Sequence, residues 1–447
     1  MRSLFFAVFT TFIFLCSCKP QKKEEPQSQK TRLEKWSEDI AYFENNYLEN
    51  SRTFDTDSIA ACKKILDGLK SQLDSLTDNQ IILSLSKCVA KANNGHTTIH
   101  LSKMDKIPLR YYWFADGLYI IKTDTSIAEH LGSKILKINS LEIDSVYKQL
   151  KDHLSGINRF KKFTASNYLT SPEILNGIGL TAADSLTLTL LKGKDTSVVN
   201  FKVKKMPDSK YEYESWADLY PDSAKTTPWA YFTGNSNELP LYLKHMNEGV
   251  FYTFLDAEEI SYFSINALWY KSPDFKEKIK KFLSELKTKT DYHVVFDLRY
   301  YTGGNYVIPA KLATQPPKII DDNRKIYLIT SSMTFSAGLV TAARIKYFGK
   351  NKVVIVGEEV GDHLKFWAEG DYYTLPNSNI SIQDSKYEHD WKNNKFIPGQ
   401  TFWLNLFYGV AAKNLKVNKE IKLRFENYRN NQDPIMEWIK NEVTQNP

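Results

Sequence analysis

Four cysteines in 447 residues are too few for a disulfide framework, and two of them, Cys16 and Cys18, fall at the N-terminus. The remaining pair, Cys62 and Cys88, allows one disulfide without requiring it. No Cys/His group has the spacing of zinc ligands, so neither a metal nor any other cofactor is expected. Beyond the N-terminus no apolar run approaches the length of a transmembrane helix. The net charge of +7 comes from scattered lysines, largely on segments that read as helix faces. No basic and aromatic stripe accompanies it, which argues against nucleic acid as a partner. A Gly-x-Ser-x-Gly elbow is also missing. What the chain does have is 42% apolar and 13% aromatic residues, enough for a large core spread over two or three domains.

The N-terminus carries Arg2, then an apolar run from Leu4 to Leu15. That run is too short to span a bilayer stably and has no amphipathic face, so residues 1–17 read as a cleavable signal. Leu15-Cys16-Ser17-Cys18 resembles the lipobox of bacterial lipoproteins, which implies a lipid on Cys18 and membrane attachment through it. Residues 18–30 are charged and rich in Pro and Gln, the composition of a disordered tether. Lys22-Lys23-Glu24-Glu25 resembles the surface-export signal of Bacteroidetes lipoproteins. The expected location is the cell envelope, anchored to the outer membrane and either periplasmic or surface-exposed.

Residues 31–104 read as an N-terminal helical cap. Ile59, Cys62, Ile65, Leu66, Leu69 and Leu73 recur every three or four positions, and Thr77-Asp78-Asn79 starts a second such run. Asn93-Asn94-Gly95-His96 ends it in a turn, and Thr97 to Leu101 reads as a strand. Residues 105–206 mix short alternating segments with one helical piece near Val146 to Leu154. Within them Gly132 to Asn139 resembles the strand of PDZ-like modules, whose edge can accept a chain end; an insert without a binding role fits equally. Residues 207–248 read as a connection.

Residues 249–447 form an α/β pattern. Ile260 to Ile265 and His293 to Leu298 flank a helix with Phe275, Ile279, Phe282, Leu283 and Leu286 on one face, and Ser272-Pro273 is its expected N-cap. Parallel strands need such a crossover. Ile326 to Thr330 and Val353 to Val356 add two strands around a helix from about Ser336 to Phe348. The result is a mixed sheet with crossover helices, whose strand ends share one side.

Three loops at those ends hold unusual residues. Asp297-Leu298-Arg299-Tyr300-Tyr301-Thr302-Gly303-Gly304-Asn305 has adjacent glycines that can leave amides exposed. Thr334-Phe335-Ser336-Ala337-Gly338 places a serine where a helix begins, beside free amides and the positive end of a dipole. Gly357-Glu358-Glu359-Val360-Gly361-Asp362-His363 is polar. Taken alone, Ser336 reads as a helix N-cap and His96 as a turn histidine. His100 is too poorly placed on a strand to make a metal pair with His96.

These motifs, in this order and with Gly95-His96-Thr97 upstream and Leu375-Pro376-Asn377-Ser378 downstream, resemble the tail-specific, or C-terminal-processing, serine peptidases. The resemblance runs from about residue 35 to 440, ending with Asp433 to Trp438. It implies the ClpP/crotonase-like core of that family and an endopeptidase acting on exported or scavenged polypeptides through an acyl-enzyme on Ser336. Ala337 with Gly303 or Gly304 would be the oxyanion donors. One branch of the family uses a lysine base; its position here is His363, with Lys365 two residues further. The other branch resembles the tricorn core and uses a histidine, which His96 matches. Glu388, Asp390 and Glu358 are then the candidate acids to orient it. The chain departs from the family pattern at Tyr301, Val360 and Asp362. The rival expectation is an inactive surface module binding peptides or apolar ligands.

Overall fold

The computed structural model describes residues 30–101, 104–203, 229–233, 238–266 and 274–445. The signal, Cys18, nearly all of the tether, Ser272-Pro273 and most of the 207–248 connection lie outside them.

Three helices open the described chain: Arg32–Tyr42, Thr56–Ser71 and Asp78–Val89. Each begins with a reciprocal capping box, Thr31 with Glu34, Asp55 with Ser58, and Thr77 with Gln80, which satisfies amides that a helix start otherwise leaves open. Cys62 and Cys88 meet between the second and third helices as a disulfide, their α-carbons 4.7 Å apart. The helices share one apolar cluster with a sheet whose main path runs Leu109–Phe114, Gly117–Asp124, Lys134–Ile138, Ser185–Lys192 and Asp195–Lys202. The described end of the connection is not irregular: Trp229–Tyr231 adds a strand antiparallel to Lys122 through Asp124.

The C-terminal half is built on a six-stranded sheet. Its order is Lys419–Glu420, Val353–Gly357, Ile326–Thr330, His293–Asp297, Ile260–Ile265 and Val250–Leu255. All neighbours are parallel except the last pair, so the expected β-α-β unit forms around the Phe275–Leu286 helix. The central strands are unbroken apolar runs because both faces are covered. Helices Phe275–Leu286 and Ala337–Gly349 pack on one face, and Pro434–Gln445 packs on the other. The structure is thus a mixed α/β protein with several sheets.

Two features turn this scaffold into a site. The parallel strands deliver the loops after Asp297, Thr330 and Gly357 to their common carboxyl end, where α/β sheets place ligands. Thr98–Ile99 pairs antiparallel with Ser381–Gln383, which draws the Gly95-His96 turn of the N-terminal part onto the C-terminal half.

Candidate active site

Ser336 stands just before the Ala337–Gly349 helix with φ 52° and ψ −122°. An L-residue at positive φ is strained by roughly 1–3 kcal/mol unless its surroundings hold it there. Its hydroxyl makes no cap bond to the helix, so the side chain is free of the task that the sequence alone suggested for it. The sharp strand-to-helix turn that a glycine-flanked elbow would supply is therefore present with Phe335 and Ala337 as its neighbours.

Backbone contacts hold that turn. Phe335 donates its N–H to Tyr301 O at 3.2 Å, and Gly361 donates to Thr334 O at 2.9 Å. The Thr334 hydroxyl donates to Leu298 O at 2.8 Å. All three loops are thereby joined around Ser336. Gly338 permits the closest approach, since a β-carbon there would lie 2.0 Å from Tyr301 O. On the other side, a β-carbon at Gly303 would stand 3.6 Å from Ser336 Oγ, so the glycine loop lies directly against the hydroxyl. Ala337 is the first helical residue, and its amide belongs to the set without an intrahelical acceptor.

The glycine loop is anchored from below by buried charges. Arg299 bonds Asp297 at 2.9 Å and Asp433 at 2.8 Å, and Tyr262 donates to Asp297 at 2.8 Å. This ties the Asp297-Leu298-Arg299 motif to the start of the last helix. Removing one member of such a buried group typically costs about 3–5 kcal/mol.

His96 arrives from the other half of the molecule. Its ring lies between Phe335 and Phe366, with centroid separations of 4.4 and 5.1 Å and interplanar angles of 24° and 14°. Asn94 fixes the turn that carries it. The Asn94 amide accepts from Trp367 N at 3.1 Å and donates to Trp367 O at 3.0 Å and Thr97 Oγ1 at 2.9 Å. Asn93 adopts the left-handed conformation, φ 48°, that such a turn requires.

Opposite His96 Nδ1, at 3.5 Å, is Asp362 Oδ2. Asp362 is buried, and its other oxygen accepts the His363 N–H at 2.8 Å. Burial pushes the Asp362 carboxyl up to about 8 and the His96 imidazole down to about 3. At neutral pH burial therefore keeps both groups uncharged in this geometry, the imidazole without its second proton and the carboxyl with one. Neither ring nitrogen of His96 nor Asp362 Oδ2 has another hydrogen-bond partner among the described residues. Only a small closure separates this pair from a hydrogen bond.

The expected acids lie elsewhere. In the antiparallel pair of Lys365–Ala368 with Tyr387–Asp390, Phe366 faces His389, and their rings stack at 5.0 Å on the His96 side. Strand alternation turns Glu388 and Asp390 to the opposite face. Glu388 is held by Gln400 at 2.9 Å and by Lys365 at 3.1 Å. Asp390 accepts the amides of Lys392 and Asn393 at 3.1 and 2.8 Å, closing a turn. Glu358 lines a separate cavity with Lys162 and Lys422, and burial raises its pKa. None of the three is the carboxylate beside His96. Lys365 is engaged with Glu388, and the exposed His363 ring stands 3.5 Å from Asn93.

The three departures from the family pattern also acquire places. The Tyr301 side chain is buried in the cluster beneath the sheet and leaves its carbonyl to the Ser336 turn. Val360 is buried in the same cluster, with its carbonyl accepting from Arg159 at 3.0 Å. The third departure, Asp362, is the residue that meets His96.

No protein-family model matches the chain, and no curated protein matches it at a significant level. Solved structures do. Mature CPAF complexed with lactacystin aligns over 92% of this chain and 98% of its own, with 12% identity and a TM-score of 0.57. The CPAF S499A mutant aligns over 92% and 97%, with 11% identity and a TM-score of 0.59. Tricorn protease aligns over 92% of this chain and 36% of its own, at 14% identity and a TM-score of 0.39.

Proposed function

Because the chain carries the fold of the tail-specific, S41-type peptidases, we propose that it is a serine endopeptidase acting through Ser336. The observation that carries this reading is the meeting of the His96–Asp362 pair with the Phe335-Ser336 turn, against which Gly303 lies. Ser336 Oγ attacks the scissile carbonyl carbon while His96 takes its proton. The oxyanion is met by the amides of Ala337 and of Gly303 or Gly304, each such donor being worth about 3–4 kcal/mol in serine hydrolases. His96 returns the proton to the leaving amine, and water then releases the acyl group by the same steps in reverse. As the pair closes to hydrogen-bond distance, Asp362 takes its ionised form, fixes the imidazole tautomer and stabilises the charge the ring gains.

The decisive experiment is hydrolysis of casein by residues 31–447, beside Ser336→Ala and His96→Ala. Cleavage by the parent body and loss in both variants supports the mechanism. A folded parent body that cleaves nothing would sink it, and the binding module would take its place. Lipid attachment to Cys18 at the outer membrane belongs to the same proposal. It predicts incorporation of labelled fatty acid in the whole cell that Cys18→Ala abolishes.

A further inference from the structure

Beside the His96–Asp362 pair lies an open cavity of about 520 Å³ that the proposed chemistry does not use. Asp362 forms part of its wall, so the cavity comes within one side chain of His96. Its lining is strongly basic: Arg159, His363, Lys365, Lys392, Lys413 and Lys416 all contribute. Against these stand Glu359, which is already paired with Arg159, and Asp362, whose carboxyl burial pushes up to about 8 and so leaves uncharged at neutral pH. Lys365 is paired with Glu388 from outside the lining.

The other three lysines differ. Lys392, Lys413 and Lys416 have no carboxylate partner among the described residues. They are also held near one another by the backbone, since Lys413 N–H donates to Lys392 O at 3.1 Å and Lys416 N–H to Asn414 Oδ1 at 3.2 Å. Leu364, Leu415 and Val360 contribute apolar surface to the lining. An anionic occupant would relieve the mutual repulsion of these exposed cations more than solvent alone does.

We propose that this cavity is a subsite for acidic segments of the polypeptide substrate, taking Asp or Glu side chains beside the scissile bond. The proposal rests on the peptidase reading, and it makes the enzyme selective for acidic polypeptides. Asp362, which lines the cavity and faces His96, puts the subsite beside the proposed catalytic pair, and a carboxylate's charge offsets the lysines as it docks.

The test compares one neutral fluorogenic peptide with the same peptide flanked by Asp or by Lys. The acidic version should show kcat/KM about tenfold above the basic one, the sum of several partly exposed charge pairs. Raising the salt concentration should shrink that gap. The triple variant Lys392→Glu, Lys413→Glu, Lys416→Glu should invert the order while leaving the neutral peptide unchanged. Equal kcat/KM for all three peptides, or a preference that survives the triple variant, overturns the proposal. Fluorescence anisotropy of the acidic peptide on Ser336→Ala supplies a readout without turnover. If no peptide is cleaved yet the acidic one binds Ser336→Ala and not its triple-lysine variant, the peptidase reading fails and the anion site stands.

Discussion

The two halves of the site are held in different ways. Ser336 is set by main-chain geometry: a strained turn, three loops cross-bonded through backbone groups, and a glycine that admits a carbonyl where no β-carbon fits. His96 is set by side chains: two aromatic faces, one asparagine and one buried acid. A position fixed by backbone tolerates few substitutions and signals itself through glycines. A position fixed by side chains is adjustable and leaves little trace in local sequence.

Breaking each half should expose that contrast. The largest effect on turnover is expected from Asp362→Asn, which keeps the shape but supplies an amide where the imidazole needs an acceptor. A loss in kcat on the order of ten-thousandfold with no fall in melting temperature is expected, as for other triads robbed of their acid. Loss of the fold instead would assign Asp362 to packing. Gly338→Ala drives a methyl into Tyr301 O, and a stability loss of about 3 kcal/mol or more should appear in urea unfolding. A neutral result there would mean that the loop moves freely. Asn94→Ala should cost about 1–3 kcal/mol by leaving the Trp367 backbone groups unpaired. Its kcat should fall more than its KM rises, because a displaced base affects the chemical step.

The smallest effect is on pH dependence. A carboxyl raised from its ordinary value to about 8 favours the folded state at low pH, and that contribution is lost as pH rises from about 4 through 8. His96, lowered to about 3, acts in the other direction: its contribution is present above about 6.5 and lost as pH falls toward 3. Asp362→Asn should therefore flatten the decline in melting temperature between about pH 4 and 8 while leaving in place the loss that His96 causes as pH falls from about 6.5 toward 3.

The sequence made the sheet legible because its central strands, Ile326–Thr330 above all, are continuous apolar runs bounded by turn residues. The glycine loop and the helix after Ser336 were visible for similar reasons. Three things were not. The positive φ of Ser336 is imposed by contacts with Tyr301 and Thr334, which no local propensity encodes. Asp362 lies in a polar loop and meets His96 only through the fold, so it looked like a departure while Glu388 and Asp390 looked like partners. Their turn away from His96 follows from the register of Phe366 against His389, which becomes known only when the two strands are paired. The aromatic stack on His96 joins segments far apart in the chain. A usable hint did exist, in an acid two positions beyond Val360 where the family pattern has glycine.

The strand pairing of Thr98–Ile99 with Ser381–Gln383 has a consequence for when the proposed activity begins. The residues it joins lie far apart in the chain, and Asn94 reaches Ser385 across 291 positions. Contacts of such high order form late, after both halves have condensed. A chain that has not yet made this pairing would carry Ser336 or His96 apart and, on the proposed activity, cleave nothing, itself included. The long closure would thus withhold the proposed activity until both halves of the chain have come together.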